Sequence, residues 1–291
     1  MGNLIYQNYH RHSHKTNVRI SDSVATNENY AERAVSLGHG ILSSCEHGWQ
    51  GTQDEVVDIS KASGLKPLIA SEAYWVKNRL EKDKTNCHIF LGAMNENGRQ
   101  CLNEALSEAN ITGFYMQPRL DIELIKSLPN DGSIILTSAC IAGWRYEDAE
   151  EIMKEFAERF KKNFFLEVQY HNTPSQIELN QRILRLHKDY KIPIIMGCDS
   201  HYIYDTQAQD RIDFLASKGI IYPEEEGWYL DYPDGETAYE RFAKQSVLTH
   251  DQILEAMENT NVFLNVQEYD SPVFNEEIKL PSLCLEEKRQ V

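Results

Sequence analysis

Short apolar segments alternate with longer amphipathic segments along most of the chain. The apolar segments are rich in Ile, Leu, Val and aromatic residues, which is typical of buried strands. They cover residues 4–9, 40–45, 67–74, 87–93, 133–138, 164–169 and 193–198. Hydrophobic residues recur with helical spacing between them, which predicts helices over 29–37, 53–63, 100–109, 121–128, 147–160 and 174–190.

Seven strands that alternate with helices predict an α/β protein with a closed or nearly closed barrel. A doubly wound open sheet is the alternative, but the chain has no GxGxxG or GxxxxGK loop to support a nucleotide-binding fold. The pattern becomes acidic, aromatic and irregular after about residue 220, with one further helix predicted over 249–263. We therefore predict a barrel over 1–220 and a C-terminal extension over 221–291.

Composition and charge limit the possible functions. Hydrophobic residues make up 41% of the 291-residue chain, which is enough for a sizeable core. The net charge of -16 argues against a surface that grips a long stretch of nucleic acid, although a cleft could still bind one phosphodiester beside metal ions. No apolar run is long enough to span a membrane, and no secretory signal is visible. Six widely spaced cysteines then indicate reduced thiols and a cytoplasmic protein.

Potential metal ligands lie at or near the predicted strands. The first strand leads into His10-Arg-His12, and the last leads into Asp199-Ser-His201. Residues two apart on an extended segment point to the same face, so each pair can bind one ion. Glu72 lies inside an apolar strand, where an unpaired charge would be costly. Further candidates beside strands are His47, His88 and Cys140. A shared metal cluster at the carboxyl end of the strands explains these placements together.

The motifs that carry these residues resemble the PHP (polymerase and histidinol phosphatase) superfamily. The likeness is nearest to the N-terminal PHP domain of bacterial and phage C-family DNA polymerases, the DNA polymerase III alpha subunits. It rests on His10-Arg-His12-Ser, Glu46-His47-Gly, His88-Ile-Phe-Leu-Gly, Thr137-Ser-Ala-Cys140 and Asp199-Ser-His201-Tyr. Residues 64–74 and 165–169, segments after 235 and the tail 275–281 are also similar, the tail to a linker toward the polymerase palm.

The resemblance implies a distorted, seven-stranded (β/α)7 TIM-like barrel that binds two or three divalent ions (Zn, Mn or Fe). The implied ligands are His10, His12, Asp22, His47, Glu72, His88, Cys140, Asp199 and His201. By family arrangement, His10, His12, Glu72 and Asp199 share one ion, and Glu72 bridges to a second ion at His88 and Cys140. Asp22, His47 and His201 bind the third. Glu46 stands where the family usually has Asp, and we expect it to orient a ligand.

The activity implied by the resemblance is a metal-dependent phosphoesterase, namely a 3′–5′ proofreading exonuclease that acts on DNA 3′ ends. Glu72, Asp199 and His201 would hold the metal-bound water that attacks. Candidate phosphate contacts are Arg11, Arg79, Arg119 and Arg145, which follow strands. Polymerase domains or replisome subunits are the expected protein partners, and polymerase activity is not expected from this chain alone. Two alternatives remain: a non-catalytic, metal-stabilised interaction module, and a small-molecule phosphatase or pyrophosphatase.

Overall fold

The strands of the protein form one curled sheet. A computed structural model describes residues 4–269. Within that range the sheet contains nine strands: β1 (Ile41–Ser43), β2 (Glu46–His47), β3 (Lys66–Val76), β4 (Cys87–Ala93), β5 (Phe114–Tyr115), β6 (Gln117–Asp121), β7 (Ile134–Thr137), β8 (Phe164–Val168) and β9 (Ile194–Met196). The curled sheet confirms the predicted α/β fold of a distorted TIM-like barrel.

The α-helices of the described residues lie mainly between these strands. Their bounds are α1 (Asn27–Leu37), α2 (Gln53–Ser63), α3 (Glu96–Ile111), α4 (Ile122–Ser127), α5 (Ala149–Phe160), α6 (Pro174–Tyr190), α7 (Ala208–Ser217), α8 (Gly235–Gln245) and α9 (His250–Asn259). Local sequence fixes several ends. Thr173 caps α6 by accepting a hydrogen bond from the Gln176 backbone N–H, and Gly38 and Gly64 end α1 and α2 in the left-handed conformation.

A reversed strand in the middle of the sheet distorts the barrel. The sheet runs in the order β5-β6-β3-β4-β7-β8-β9, with β1 and β2 paired to β3. Strands β6, β7, β8 and β9 take part in parallel pairs, whereas β4 is antiparallel to both β3 and β7. The first residues of β4 therefore lie beside the carboxyl end of β3, where Tyr74 pairs with His88. This reversal brings a residue from the start of a strand to the end of the barrel where other strands finish.

The predicted strand over 4–9 is not a strand in the structure. The Gln7 backbone N–H donates to Thr260 Oγ1 (2.7 Å), and the Tyr9 N–H donates to the Gln7 carbonyl (3.1 Å), so neither bond extends a ladder. Pairing begins only at Arg11, which forms an isolated parallel bridge with Ser200. The prediction was wrong because an apolar segment can be buried without a neighbouring strand.

The residues of β3 alternate between two hydrophobic clusters. Ile69, Ala73 and Trp75 pack in the main core together with residues of the surrounding helices. Leu68 and Ala70 point the other way, into a smaller cluster inside the curled sheet. Period-two alternation then directs the side chain of Glu72 to the inside as well.

The segment after residue 220 packs against the barrel. Phe242 of α8 and Ile253 of α9 are buried in the main core. Phe263 is fully buried in the inner cluster, with its ring centroid 4.6 Å from that of Tyr9 and 5.6 Å from that of Phe90. The domain boundary at residue 220 stays a prediction, and the predicted linker over 275–281 lies outside the described residues.

Two expectations about the chain's environment can be compared with residues 4–269. No helix in this range has the length and apolar character needed to cross a bilayer. The cysteines described in this range, Cys45, Cys87, Cys101, Cys140 and Cys198, form no disulfide.

Candidate metal centre

The carboxylate of Glu72 lies among four imidazoles at the carboxyl end of the strands. Glu72 is fully buried on the inner face of β3. Its Oε1 atom lies 3.1 Å from His10 Nε2 and 3.0 Å from His88 Nδ1. Its Oε2 atom lies 3.4 Å from His12 Nε2 and 2.9 Å from His47 Nδ1. Because both oxygens face imidazoles on different sides, the carboxylate can bridge two ions.

The tautomer of His10 directs a lone pair into this cluster. Its Nδ1 atom lies 2.8 Å from the carboxylate of Glu167, which can only accept, so Nδ1 carries the proton. In the neutral ring, Nε2 is then an acceptor that faces Glu72 and also lies 3.4 Å from Asp199 Oδ1. Acceptors that face each other in a dry interior repel unless a cation, either a proton or a metal ion, lies between them.

A second group of ligands forms around Asp22. Its Oδ2 atom lies 3.0 Å from His47 Nε2 and 2.9 Å from His201 Nε2. The Nδ1 atom of His201 lies 2.7 Å from the Asp199 backbone carbonyl, so this nitrogen donates and the lone pair of the neutral ring is at Nε2. The turn that carries Asp22 is held in place by Ser23, whose hydroxyl lies 2.6 Å from the His12 carbonyl.

Two candidate ligands lie in or directly after an unusual backbone turn. Asp199 has φ of 49°, and Ala139, directly before Cys140, has φ of 55°. Both values lie in the left-handed region, which costs a non-glycine residue about 1 kcal/mol or more. Asp199 Oδ1 thereby lies 3.1 Å from His12 Nε2, and Cys140 Sγ lies 3.5 Å from His88 Nδ1. The strained turns bring both side chains into the cluster.

The protonation of the metal-free cluster follows from its charges. Burial alone would lower the pKa of His10, but the carboxylates of Glu167, Asp199 and Glu72 outweigh it and hold that pKa well above its usual value. Burial also raises the pKa of the Cys140 thiol well above normal, and nearby carboxylates add to this. Cys140 can therefore be a thiolate at neutral pH only beside a cation.

The donors fit divalent metal ions. Two atoms bound about 2.1 Å from one tetrahedral ion lie about 3.4 Å apart, which is close to the contacts described above. Several buried atoms in the cluster also have no hydrogen-bond partner among the described residues: His10 Nε2, His12 Nε2, His47 Nδ1, both Glu72 oxygens and Asp199 Oδ1. Three overlapping groups result: His10, His12 and Glu72; His47, Glu72 and His88; and His12, His47 and His201. The geometry thus suits binding of divalent metal, without fixing the number or identity of the ions.

The structure brings all nine predicted ligand positions to one place, with one difference in their grouping. His47 was assigned to a single ion with Asp22 and His201. In the structure its two nitrogens face different carboxylates, Nδ1 toward Glu72 and Nε2 toward Asp22. Glu46, predicted to orient a ligand, is buried and contacts Ser13, the residue after His12. Burial raises the pKa of Glu46 to about 7.

Two supporting residues were missed by the sequence analysis. The carboxylate of Glu167 accepts hydrogen bonds from Tyr9 (2.7 Å), Thr137 (2.9 Å) and Gln169 (2.8 Å) as well as His10. Glu167 could have been found because it is an acidic residue inside the apolar strand β8, and the same reasoning identified Glu72 in β3. Arg211 of α7 donates to both the side chain and the backbone carbonyl of Asp22. Nothing in the sequence connected these two distant residues.

The four arginines predicted to contact phosphate have different surroundings. Arg11 and Arg119 are both buried, and Arg119 donates to backbone carbonyls, including that of Gly113 at 2.8 Å. Arg79 forms a two-pronged ion pair with Asp121. Among the four, Arg145 alone is exposed, and its Nη1 atom donates to the backbone carbonyls of Thr85 (3.0 Å) and Asn86 (3.1 Å). The pKa of His88 is lowered mainly by burial and further by the charge of Arg145, whereas the carboxylate of Glu72 raises it.

Histidines, carboxylates and a thiol at the carboxyl end of the strands make this an α/β barrel suited to bind divalent metal. The family model described as the PHP domain matches residues 9–171, which is more than half of the chain. The chain therefore belongs to the PHP domain family. The match covers most of the cluster and ends before Asp199 and His201.

Proteins with similar sequences are alpha subunits of DNA polymerase III. DNA polymerase III subunit alpha of Borreliella burgdorferi is 29% identical over 219 residues, which cover 70% of this chain and 19% of the relative. The subunit of Aquifex aeolicus is 29% identical over 213 residues, covering 67% of this chain and 18% of the relative. The chain thus spans about a fifth of the length of these relatives.

A solved structure also overlaps with the chain. It is a candidate metal-dependent phosphoesterase from Bifidobacterium adolescentis, with 16% identity and a TM-score of 0.45. The overlap covers 75% of this chain and 98% of that protein.

Proposed function

We propose that this chain is the metal-dependent phosphoesterase domain of a DNA polymerase III alpha-like protein and removes nucleotides from DNA 3′ ends. The observation that carries the proposal is the position of Glu72 among His10, His12, His47 and His88. Lone pairs and carboxylates converge there at the carboxyl end of the strands, which is the end of α/β barrels where active sites lie.

The residues of the chain would divide the work. Glu72, Asp199 and His201 would hold the ions and orient the attacking water. Divalent ions bound in such a cluster would draw charge from phosphate oxygens and make hydroxide available near neutral pH. Glu167 keeps His10 in the tautomer that presents Nε2, and Arg211 holds Asp22 in place. Polymerase domains or replisome subunits are the partners that we propose, since the relatives are polymerase subunits.

An apolar groove beside the cluster supports a substrate that carries a nucleobase. The groove borders Arg211, which contacts Asp22, and its walls include the half-buried rings of Tyr222 and Trp228. Aromatic rings stack on any base, and this favours an oligonucleotide over a small phosphate monoester. A Trp228→Ala variant should therefore raise KM for the oligonucleotide and leave kcat nearly unchanged.

The test is release of a 3′-terminal label from single-stranded DNA by purified protein with Mn²⁺ or Zn²⁺. We expect release by the wild-type protein and loss of at least 100-fold in Asp199→Asn. Asp58→Asn changes an exposed carboxylate on α2 in the same way and is the matched control.

Other outcomes point to the alternatives. Unchanged release in Asp199→Asn would assign the activity to a contaminant and contradict the proposal. Activity confined to a phosphomonoester panel would indicate a small-molecule phosphatase. If chelation lowers Tm but no substrate is cleaved under any metal, the cluster supports an interaction module instead.

A further inference from the structure

Six basic side chains gather where helices α5 and α6 end. They line two neighbouring grooves that share Lys191, and together we call them the basic surface: Lys154, Lys161, Lys162, Arg185, Lys188 and Lys191. The single carboxylate that lines either groove is Glu158. Acidic residues outnumber basic ones by 45 to 29 in the whole chain, so this local excess of positive charge is contrary to the composition.

The charges of this surface are available to a ligand. Lys161, Lys162, Arg185, Lys188 and Lys191 are exposed. Within residues 4–269 none of these five forms an ion pair, whereas Lys154 pairs with Glu151 at 2.5 Å. Exposed cations without partners lose little when they bind an anion, because no protein contact has to be broken first.

An exposed aromatic ring borders one of these two grooves. Tyr190, the last residue of α6, is 55% exposed and borders the groove that contains Lys161 and Lys162. Lys154 Nζ lies 4.7 Å from the centroid of its ring. A ring flanked by cations is the arrangement with which proteins bind single-stranded nucleic acid, since bases stack on the ring and phosphates contact the cations.

The basic surface lies at the opposite end of the barrel from the metal ligands. Lys161 and Lys162 directly precede β8, and Lys191 precedes β9, whereas Asp199 and His201 follow β9. A five-residue strand such as β8 is about 16 Å long, so one nucleotide cannot occupy both places.

We propose that the basic surface binds single-stranded nucleic acid, with phosphates on the lysines and Arg185 and a base on Tyr190. The net charge of -16 predicted no such surface, but the charges are distributed unevenly. This inference stands apart from the proposed hydrolysis, because none of its residues contributes to the metal cluster. An acidic protein segment would satisfy the cations but would leave the ring of Tyr190 without a stacking partner.

The experiment is fluorescence anisotropy of a labelled dT20 with a 3′ phosphorothioate end, titrated with the full chain as purified. If about five phosphates are contacted, binding should weaken about 100-fold between 50 and 200 mM salt. The triple variant Lys162→Gln, Lys188→Gln, Lys191→Gln should bind at least tenfold more weakly at 50 mM salt and show a shallower salt slope. Tyr190→Ala should lose about fivefold or more for dT20 and nothing for polyglutamate.

The matched control changes three exposed lysines elsewhere: Lys61→Gln, Lys218→Gln and Lys244→Gln. It has the same net charge as the triple variant and should bind dT20 nearly as well as the wild-type protein. Equal losses in both triple variants would overturn the proposal, since binding would then reflect total charge. The proposal would also be overturned if Tyr190→Ala bound dT20 as tightly as the wild-type protein and polyglutamate competed with dT20 equally well for both proteins. That result would indicate an acidic protein partner. Thermal melts would verify that each variant is folded.

Discussion

The substitution Glu167→Gln tests whether the buried carboxylate behind His10 supports metal binding. Glu167 has four donors around its two oxygens, so its lone-pair positions are filled. Glutamine has nearly the same shape, and the hydroxyls of Tyr9 and Thr137 can rotate to accept from its amide. The change therefore removes mainly the negative charge that makes His10 a more basic ligand.

The magnitude follows from the geometry. His10 donates to Glu167 over 2.8 Å, and such outer partners of a metal-binding histidine typically contribute 10- to 100-fold to affinity, or about 1.4 to 2.7 kcal/mol. We expect Kd for Zn²⁺ or Mn²⁺ to rise by about that factor. The loss should fall on the ion bound by His10, and the group around Asp22 should change less because Glu167 does not contact it.

The assay is titration of the metal-free protein against a chelator of known affinity, with Glu158→Gln as the control on an exposed carboxylate of α5. Circular dichroism in excess chelator would show whether the metal-free fold is retained. Unchanged affinity for every ion in a folded Glu167→Gln variant would refute the assigned role. An equal loss in Glu158→Gln would also refute it, by showing that net charge alone sets the affinity.

Three further changes have defined outcomes. Burial lowers the pKa of His39 to about 4, so below pH 6.5 this histidine binds a proton more readily in the unfolded chain than in the folded one. The free energy of unfolding in urea should therefore fall by about 2 kcal/mol between pH 8 and pH 5. The variant His39→Gln should lack this contribution. Phe263→Ala should cost about 3 to 5 kcal/mol in the same assay, because it empties the inside of the sheet, and a cost under 1 kcal/mol would contradict this packing. Arg211→Met should weaken one metal equivalent about tenfold, and unchanged binding of every equivalent would mean that Asp22 needs no support.

The sequence could indicate which candidate ligands lie together because their signal is local. Alternation along extended backbone placed His10 with His12, and Asp199 with His201, on shared faces. A carboxylate inside an apolar strand identified Glu72 by the energetic cost of burying it. Helix α6 was predicted at its observed bounds because Pro174 and the repeated hydrophobic positions mark it.

The rest depended on tertiary contacts. Nothing local distinguishes the segment 4–9 from a strand, and only the contact with Thr260 shows where its backbone bonds go. The two roles of His47 arise because separate elements bring Glu72 and Asp22 to its two nitrogens. The contact of Arg211 with Asp22 could not be predicted for the same reason, since 189 positions separate the two residues.

The most direct test of the metal cluster is anomalous diffraction from crystals of the protein purified without chelator, measured on both sides of the zinc, manganese and iron edges. We predict two or three anomalous peaks among the cluster side chains, with Glu72 bound to at least two of the ions. A map without peaks in the cluster, from protein that is folded and gains no thermal stability when Zn²⁺ or Mn²⁺ is added, would contradict this prediction.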